Sequence, residues 1–224
     1  MRIFGTSILV LLGLGAVASA GAAELQGRVT LVSTVPDAGP QDAGDTVVFF
    51  KPDAPVRVRP LAGDLIMTMQ GKSFVPHVLP ITEGSVVRFA NADHILHNVF
   101  STSANNDFDM GLYGHGPGKT KTFSHPGLVR VYCNVHHEMF AYILVLDTPY
   151  FAAVGADGAF DLRGLPAGPG VITLWNPRGE VWREHLDALP AAPLALQLKV
   201  NRYGIPEHFN KFGKPYDKNA TPGY

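Results

Sequence analysis

One cysteine in 224 residues leaves no partner for an internal disulfide. Charge is scarce too: 18 Lys and Arg stand against 19 Asp and Glu, giving a formal net charge of -1 with only 17% of residues charged. That balance excludes a strongly basic nucleic-acid binder and an acidic tail protein. No segment carries the period of an amphipathic helix. There is no Cys-x-x-Cys-His run for haem attachment, no Gly-x-Ser-x-Gly elbow and no His-Glu-x-x-His pair. What the chain has instead is 24 Gly, 18 Pro and an apolar fraction of 46%, the mark of turn-dense β structure with enough core for one large or two small domains.

The amino terminus is set apart by its own pattern. Arg2, an apolar run over 8–14 and the small residues Ala18-Ser19-Ala20, with Ala20-Gly21-Ala22 behind them, make residues 1–23 a cleaved secretory signal peptide. The run is short for a spanning helix and no cysteine follows it for lipid attachment, so the expected mature protein is periplasmic, without a membrane anchor. In an oxidising compartment the lone thiol of Cys133 is then either buried and inert or occupied by something else.

Short β-branched and aromatic runs recur along the mature chain at 26–32, 46–50, 65–69, 78–81, 85–90, 97–100, 120–123, 128–133 and 141–146. Beyond Pro149 they continue at 158–162, 171–175, 180–183 and 194–200. Gly, Pro, Asn and Asp separate most of them, as at Glu83-Gly84 and Pro126-Gly127. So many short strands with tight turns predict an all-β protein of two β-sandwiches. Residues 201–224 lose the strand period and interleave Arg202, Lys211, Lys214 and Lys218 with Tyr203, Phe209, Phe212, Tyr216 and Tyr224. They read as an extended tail, laid over the fold or disordered, or as a docking segment for a partner.

The chemistry concentrates at Cys133-Asn134-Val135-His136-His137-Glu138-Met139, between two strand signals, with His97 at a strand end elsewhere. A tight loop there offers a thiolate, an imidazole and a thioether to one point, and His97 adds a second imidazole. Two His, one Cys and a weak axial Met are the ligands of a blue-copper electron-transfer site. Zinc in a closed site takes four strong ligands and gains little from a thioether, whereas copper cycling between Cu(I) and Cu(II) needs a geometry acceptable to both. His137 is a rival to His136 at one residue's offset, and His94 a rival to His97.

The run Gly84-Ser85-Val86-Val87-Arg88-Phe89-Ala90-Asn91-Ala92-Asp93, then His97-Asn98-Val99, then Val131-Tyr132-Cys133-x2-His136-x2-Met139 resembles a cupredoxin of the plastocyanin and amicyanin type. The resemblance implies a Greek-key β-sandwich over residues 61–147 holding one copper ion, with His97, Cys133 and His136 as equatorial ligands and Met139 axial. It also implies that Asn98 ties the two ligand-bearing segments by hydrogen bonding. The chain departs from the amicyanin loop in carrying His137 and Glu138 after the second ligand, a titratable ring and a carboxylate beside the edge where an electron would leave.

The flanks resemble a second module. Gly27-Arg28-Val29 and Thr46-Val47-Val48-Phe49-Phe50 on one side, with Asp157-Gly158-Ala159-Phe160-Asp161-Leu162 and Val171-Ile172-Thr173-Leu174-Trp175 on the other, are similar to the prealbumin-like sandwich appended to carboxypeptidases. Neither flank alone has strands enough for a core, so residues 24–60 and 148–200 are expected to form one small β-sandwich into which the copper domain is inserted. Two consecutive small domains are the alternative.

The functional expectation is a periplasmic carrier of single electrons between a redox donor and acceptor, and not an enzyme, since a catalytic copper oxidase or nitrite reductase needs further copper centres with ligands of their own. Copper storage or delivery is the alternative, and Met67 and Met69, on one face of a strand, are either core or a soft Cu(I) site.

Overall fold

The computed structural model describes residues 23–33, 43–201 and 208–216. Residues 1–22 of the expected signal peptide lie outside them, as do 202–207 and 217–224 of the tail; Ala23, assigned above to the leader, is already paired opposite Leu165. Among the described residues the regular structure is all strand: β1 (Ala23–Ser33), β2 (Val47–Pro52), β3 (Leu65–Gln70), β4 (Ser73–Val75), β5 (Val78–Thr82), β6 (Ser85–Asn91), β7 (His97–Ser101) and β8 (Phe108–Tyr113) come first. They are followed by β9 (Gly116–Phe123), β10 (Gly127–Tyr132), β11 (Phe140–Leu146), β12 (Tyr150–Ala153), β13 (Ala159–Leu165), β14 (Gly170–Trp175), β15 (Trp182–Leu186) and β16 (Leu194–Val200).

Four sheets make two sandwiches. The inner one pairs a sheet of order β5-β11-β10-β7-β8 with one of order β4-β3-β6-β9. The outer one is built from both flanks, β13-β1-β16 facing β12-β2-β14-β15. Strands before and after the inner sandwich therefore pair with each other: β1 runs parallel to β16, Gly27 opposite Leu194, and β2 lies between β12 and β14.

Period-2 patterning explains each sandwich. In β6, Ser85, Val87, Phe89 and Asn91 are buried while Val86 is exposed, and Val87 and Phe89 enter the inner core with Met67, Met69, Phe123 and Ile143. Met67 and Met69 are both 0% exposed there and pack in the inner core. In the outer core Leu25, Val29, Phe50, Leu162, Ile172 and Leu198 meet in the same way.

β11 differs, because its apolar run is continuous. Ala141, Ile143 and Val145 fill the inner core, while Tyr142, Leu144 and Leu146 face the other way into a third cluster with Val47 and Trp175 of the outer sandwich. A strand buried on both faces needs no polar alternation. Polar bonds pin the same junction: the Thr148 hydroxyl donates to the Phe50 carbonyl at 2.6 Å, and the Asn176 amide donates to the Thr46 hydroxyl at 3.0 Å.

Three strands went unanticipated. β4 has three residues, β12 follows Pro149 directly, and β8 carries Asp109 and the left-handed Gly111 (φ 68°), all of which weaken a strand pattern. β15 begins two residues later than the run at 180–183 suggests.

Gly27 is held to glycine by close approach, since a Cβ there would sit 2.4 Å from the Leu194 carbonyl oxygen and 2.6 Å from the Phe160 ring. Gly27→Ala should therefore cost about 2 kcal/mol of stability through overpacking, read as a lower urea midpoint. An unchanged midpoint would show that β1 is not held against β16.

Candidate metal centre

The centre is assembled from one strand start and one loop. β7 opens at His97, fully buried, and β10 ends at Tyr132, so Cys133 begins the connection to β11. The connection folds on itself: Cys133 N–H donates to the Met139 carbonyl at 3.1 Å and Met139 N–H to the His136 carbonyl at 2.9 Å. These bonds turn Cys133, His136 and Met139 into one compact loop, with Cys133 0% and Met139 1% exposed in the inner core.

His97 Nδ1 and His136 Nδ1 each lie 3.8 Å from the Cys133 sulfur and 3.1 Å from one another. A triangle with those sides has its centre about 2.1 Å from every corner, bonding distance for imidazole and thiolate ligands on a transition metal. Two ring nitrogens and a sulfur facing each other this closely fit a single cation. Met139 packs in the same inner core as Cys133. Of the rivals, His137 packs instead beside Tyr216 at 5.5 Å, and His94 stacks on His115 at 5.2 Å.

The surroundings of the sulfur favour its ionised form. Burial pushes the Cys133 pKa up, but His97 and the backbone N–H groups of Asn98, His136 and Val135 override it and hold it below the usual thiol value. Burial likewise pulls His97 down, yet its bonds to Cys133 and to Asp93 leave it raised. His136 is lowered by burial and by the neighbouring charges of His97 and Lys72.

Asp93 sets the orientation of His97. Its carboxylate lies 2.9 Å from His97 Nε2 and accepts the backbone N–H of Gly71 at 2.7 Å and of Lys72 at 3.0 Å. With Nε2 directed at Asp93, Nδ1 is turned toward the sulfur, the carboxylate–histidine arrangement that fixes metal-binding imidazoles. Burial raises the Asp93 pKa, but those donors win and hold it below its ordinary 3.8. Nothing in the sequence patterning singled out Asp93, although it stands four residues before His97.

Asn98 ties the two ligand-bearing segments through its backbone. Its backbone N–H does reach the Cys133 sulfur, but its side-chain amide donates to Asp109 at 2.6 Å, away from the ligand loop. The link between ligand segments therefore runs through the backbone, because β7 and the loop come close enough for an N–H to meet the sulfur directly.

Solved structures similar to part of this chain include a purple cupredoxin from Nitrosopumilus maritimus, at 21% identity over 37% of this chain and 100% of that one with a TM-score of 0.34. An amicyanin mutant in its Cu(I) form shares 15% identity over 44% of this chain and 98% of that one, TM-score 0.36. A copper-containing nitrite reductase from Thermus scotoductus shares 25% over 53% of this chain and 28% of that one, TM-score 0.37. No family model and no curated protein matches the chain.

Asp93→Asn should lower affinity for Cu(II) about 10- to 100-fold in competition with a chelator, by freeing the His97 ring. Because the folded Asp93 pKa lies below 3.8, its ionised form contributes stability above that value which is lost as pH falls through the folded pKa. The acid limb of unfolding should accordingly be shallower in Asp93→Asn than in the wild type; parallel limbs would remove the carboxylate from this role. By its own two-sheet order and by the place of the 133–139 loop between β10 and β11, the inner sandwich has a cupredoxin-like fold.

Proposed function

We propose that this chain is a periplasmic carrier of single electrons, whose redox centre is one copper ion held by His97, Cys133 and His136 with Met139 as a weak fourth ligand. The observation that carries the reading is the convergence of two Nδ1 atoms and a thiolate sulfur around one point. When bound, copper supplies one-electron chemistry between Cu(I) and Cu(II).

The protein's own residues supply the rest. Asp93 orients His97, three backbone N–H groups draw electron density from the Cys133 sulfur, and the loop bonds between Cys133, His136 and Met139 hold the ligands still while charge changes. The surrounding core of Met67, Phe89, Val131 and Ile143 keeps water from the sulfur. A rigid, dry ligand set is what a carrier needs, since little has to move between its two redox states. The partners are a redox protein that donates and another that accepts, meeting the centre where His136, half-buried, comes nearest to solvent.

The test is a visible and electron paramagnetic resonance spectrum of the mature protein with one equivalent of Cu(II), beside Cys133→Ser. An intense thiolate-to-copper band with narrow hyperfine splitting, lost in the variant, is expected. A pale spectrum unchanged by the substitution would overturn the reading and leave copper handling through histidine.

A further inference from the structure

Residues 208–216 belong to neither sandwich, yet they lie on the ligand loop. The His208 ring stacks on Tyr132 with centroids 4.1 Å apart and planes 6° from parallel, and Tyr132, the residue before Cys133, is only 4% exposed. Tyr216 packs beside His137 at 5.5 Å and His208 at 5.2 Å. Burial, with the charge of Cys133 and the nearby Tyr132, pushes the Tyr216 pKa up to about 12. The turn between these anchors is fixed from within, because the Asn210 side-chain oxygen accepts the N–H groups of Phe212 and Lys214 at 2.9 and 3.1 Å.

Lys211 lies within this segment and reaches the ligand loop directly and the His97 segment through Asp109. Its backbone N–H donates to the Asn134 side chain at 3.0 Å, and its ammonium donates to Asp109 Oδ2 at 2.7 Å. The other Asp109 oxygen accepts the Asn98 amide at 2.6 Å and the Gly111 N–H at 2.9 Å. Asn134 follows Cys133 and Asn98 follows His97, so one residue ties the two halves of the ligand set from outside the core. Asp109 is kept ionised for this contact, since burial raises its pKa but Lys211, Gly111 and Asn98 together hold it below 3.8.

We propose that Lys211 is a positioning residue of the metal centre, and that residues 208–216 form a clamp whose opening sets how fast reagents and metal reach and leave Cys133. The inference rests on the metal-centre reading above and adds a control element outside the ligands. The ion pair is partly exposed, Lys211 at 21% and Asp109 at 40%, and such a pair alone contributes little. The clamp acts as a unit of one ring stack, one backbone bond and one ion pair, which open together. The Lys211 ammonium also lies over the Phe212 ring, 5.2 Å from its centroid, so Lys214, exposed on the same turn with its side chain outside these contacts, serves as the control position.

The experiment measures, in the metal-free full-length mature protein, how fast 5,5′-dithiobis(2-nitrobenzoate) modifies Cys133. Lys211→Ala should react about fivefold faster than wild type through easier local opening; Lys211→Arg, which keeps the cation, should return to the wild-type rate, and Lys214→Ala should match it. In the copper-loaded protein, loss of metal to bicinchoninate should accelerate in the same order. A Lys211→Ala rate equal to that of Lys214→Ala overturns the clamp. If Lys211→Ala does not fold, Tyr216→Leu, which loosens only the far anchor, is judged by the same criterion. The two readings fail separately: faster thiol modification without a blue spectrum keeps the clamp and removes the copper assignment, and a blue spectrum with unchanged thiol and release rates does the reverse.

Discussion

A cysteine sulfur with no exposure to water, whose surroundings nonetheless favour its ionised form, is the constraint around which the inner sandwich is arranged. An ionised group in an apolar core is costly unless opposite charge and hydrogen-bond donors surround it. Here the donors come from separate stretches of chain: the N–H of Asn98 from β7, those of Val135 and His136 from the loop, and the His97 ring itself. Each needs a scaffold of its own. Asn91, for instance, donates to the Ile95 and Tyr113 carbonyls and accepts the Asp93 N–H, so it shapes the turn that delivers Asp93 to His97. The sheet order β11-β10-β7-β8 is what brings these stretches side by side.

The outer sandwich meets this arrangement through β11. That strand leads directly out of the ligand loop, and its Tyr142, Leu144 and Leu146 are sealed against Val47 and Trp175. His77 adds a polar tie, 2.7 Å from Asp45 and edge-on to the rings of Phe140 and Tyr142. A strand packed on both faces cannot shift without disturbing two cores, so the second sandwich stiffens the loop that β11 anchors.

How much of this was legible in the sequence follows from the range of the interactions. Short β-branched and aromatic runs located most strands within a few residues, the run at 141–146 among them. The C-x2-H-x2-M loop and His97 were legible because their chemistry is carried by residue type and local spacing. Asp93, Asp109 and Lys211 were not, since their roles arise from contacts made across 4 to 102 positions that no local pattern encodes. For Asn98 the resemblance implied a tie between the ligand segments, which its backbone N–H makes; that its side chain goes to Asp109 on the unanticipated β8 was not legible. The tail had no period to read, because residues 208–216 are held by single contacts and a turn and not by a sheet.

The parallel pairing of β1 with β16 has a consequence for how the chain folds. Every strand of the inner sandwich lies within one continuous stretch from Leu65 to Leu146, while the outer sheet cannot close until β16 has joined a strand laid down more than a hundred and sixty residues earlier. Loop closure of that length is slow compared with local pairing. The ligand-bearing core is thus free to form first, on its own contacts, and the residues that cover it arrive last.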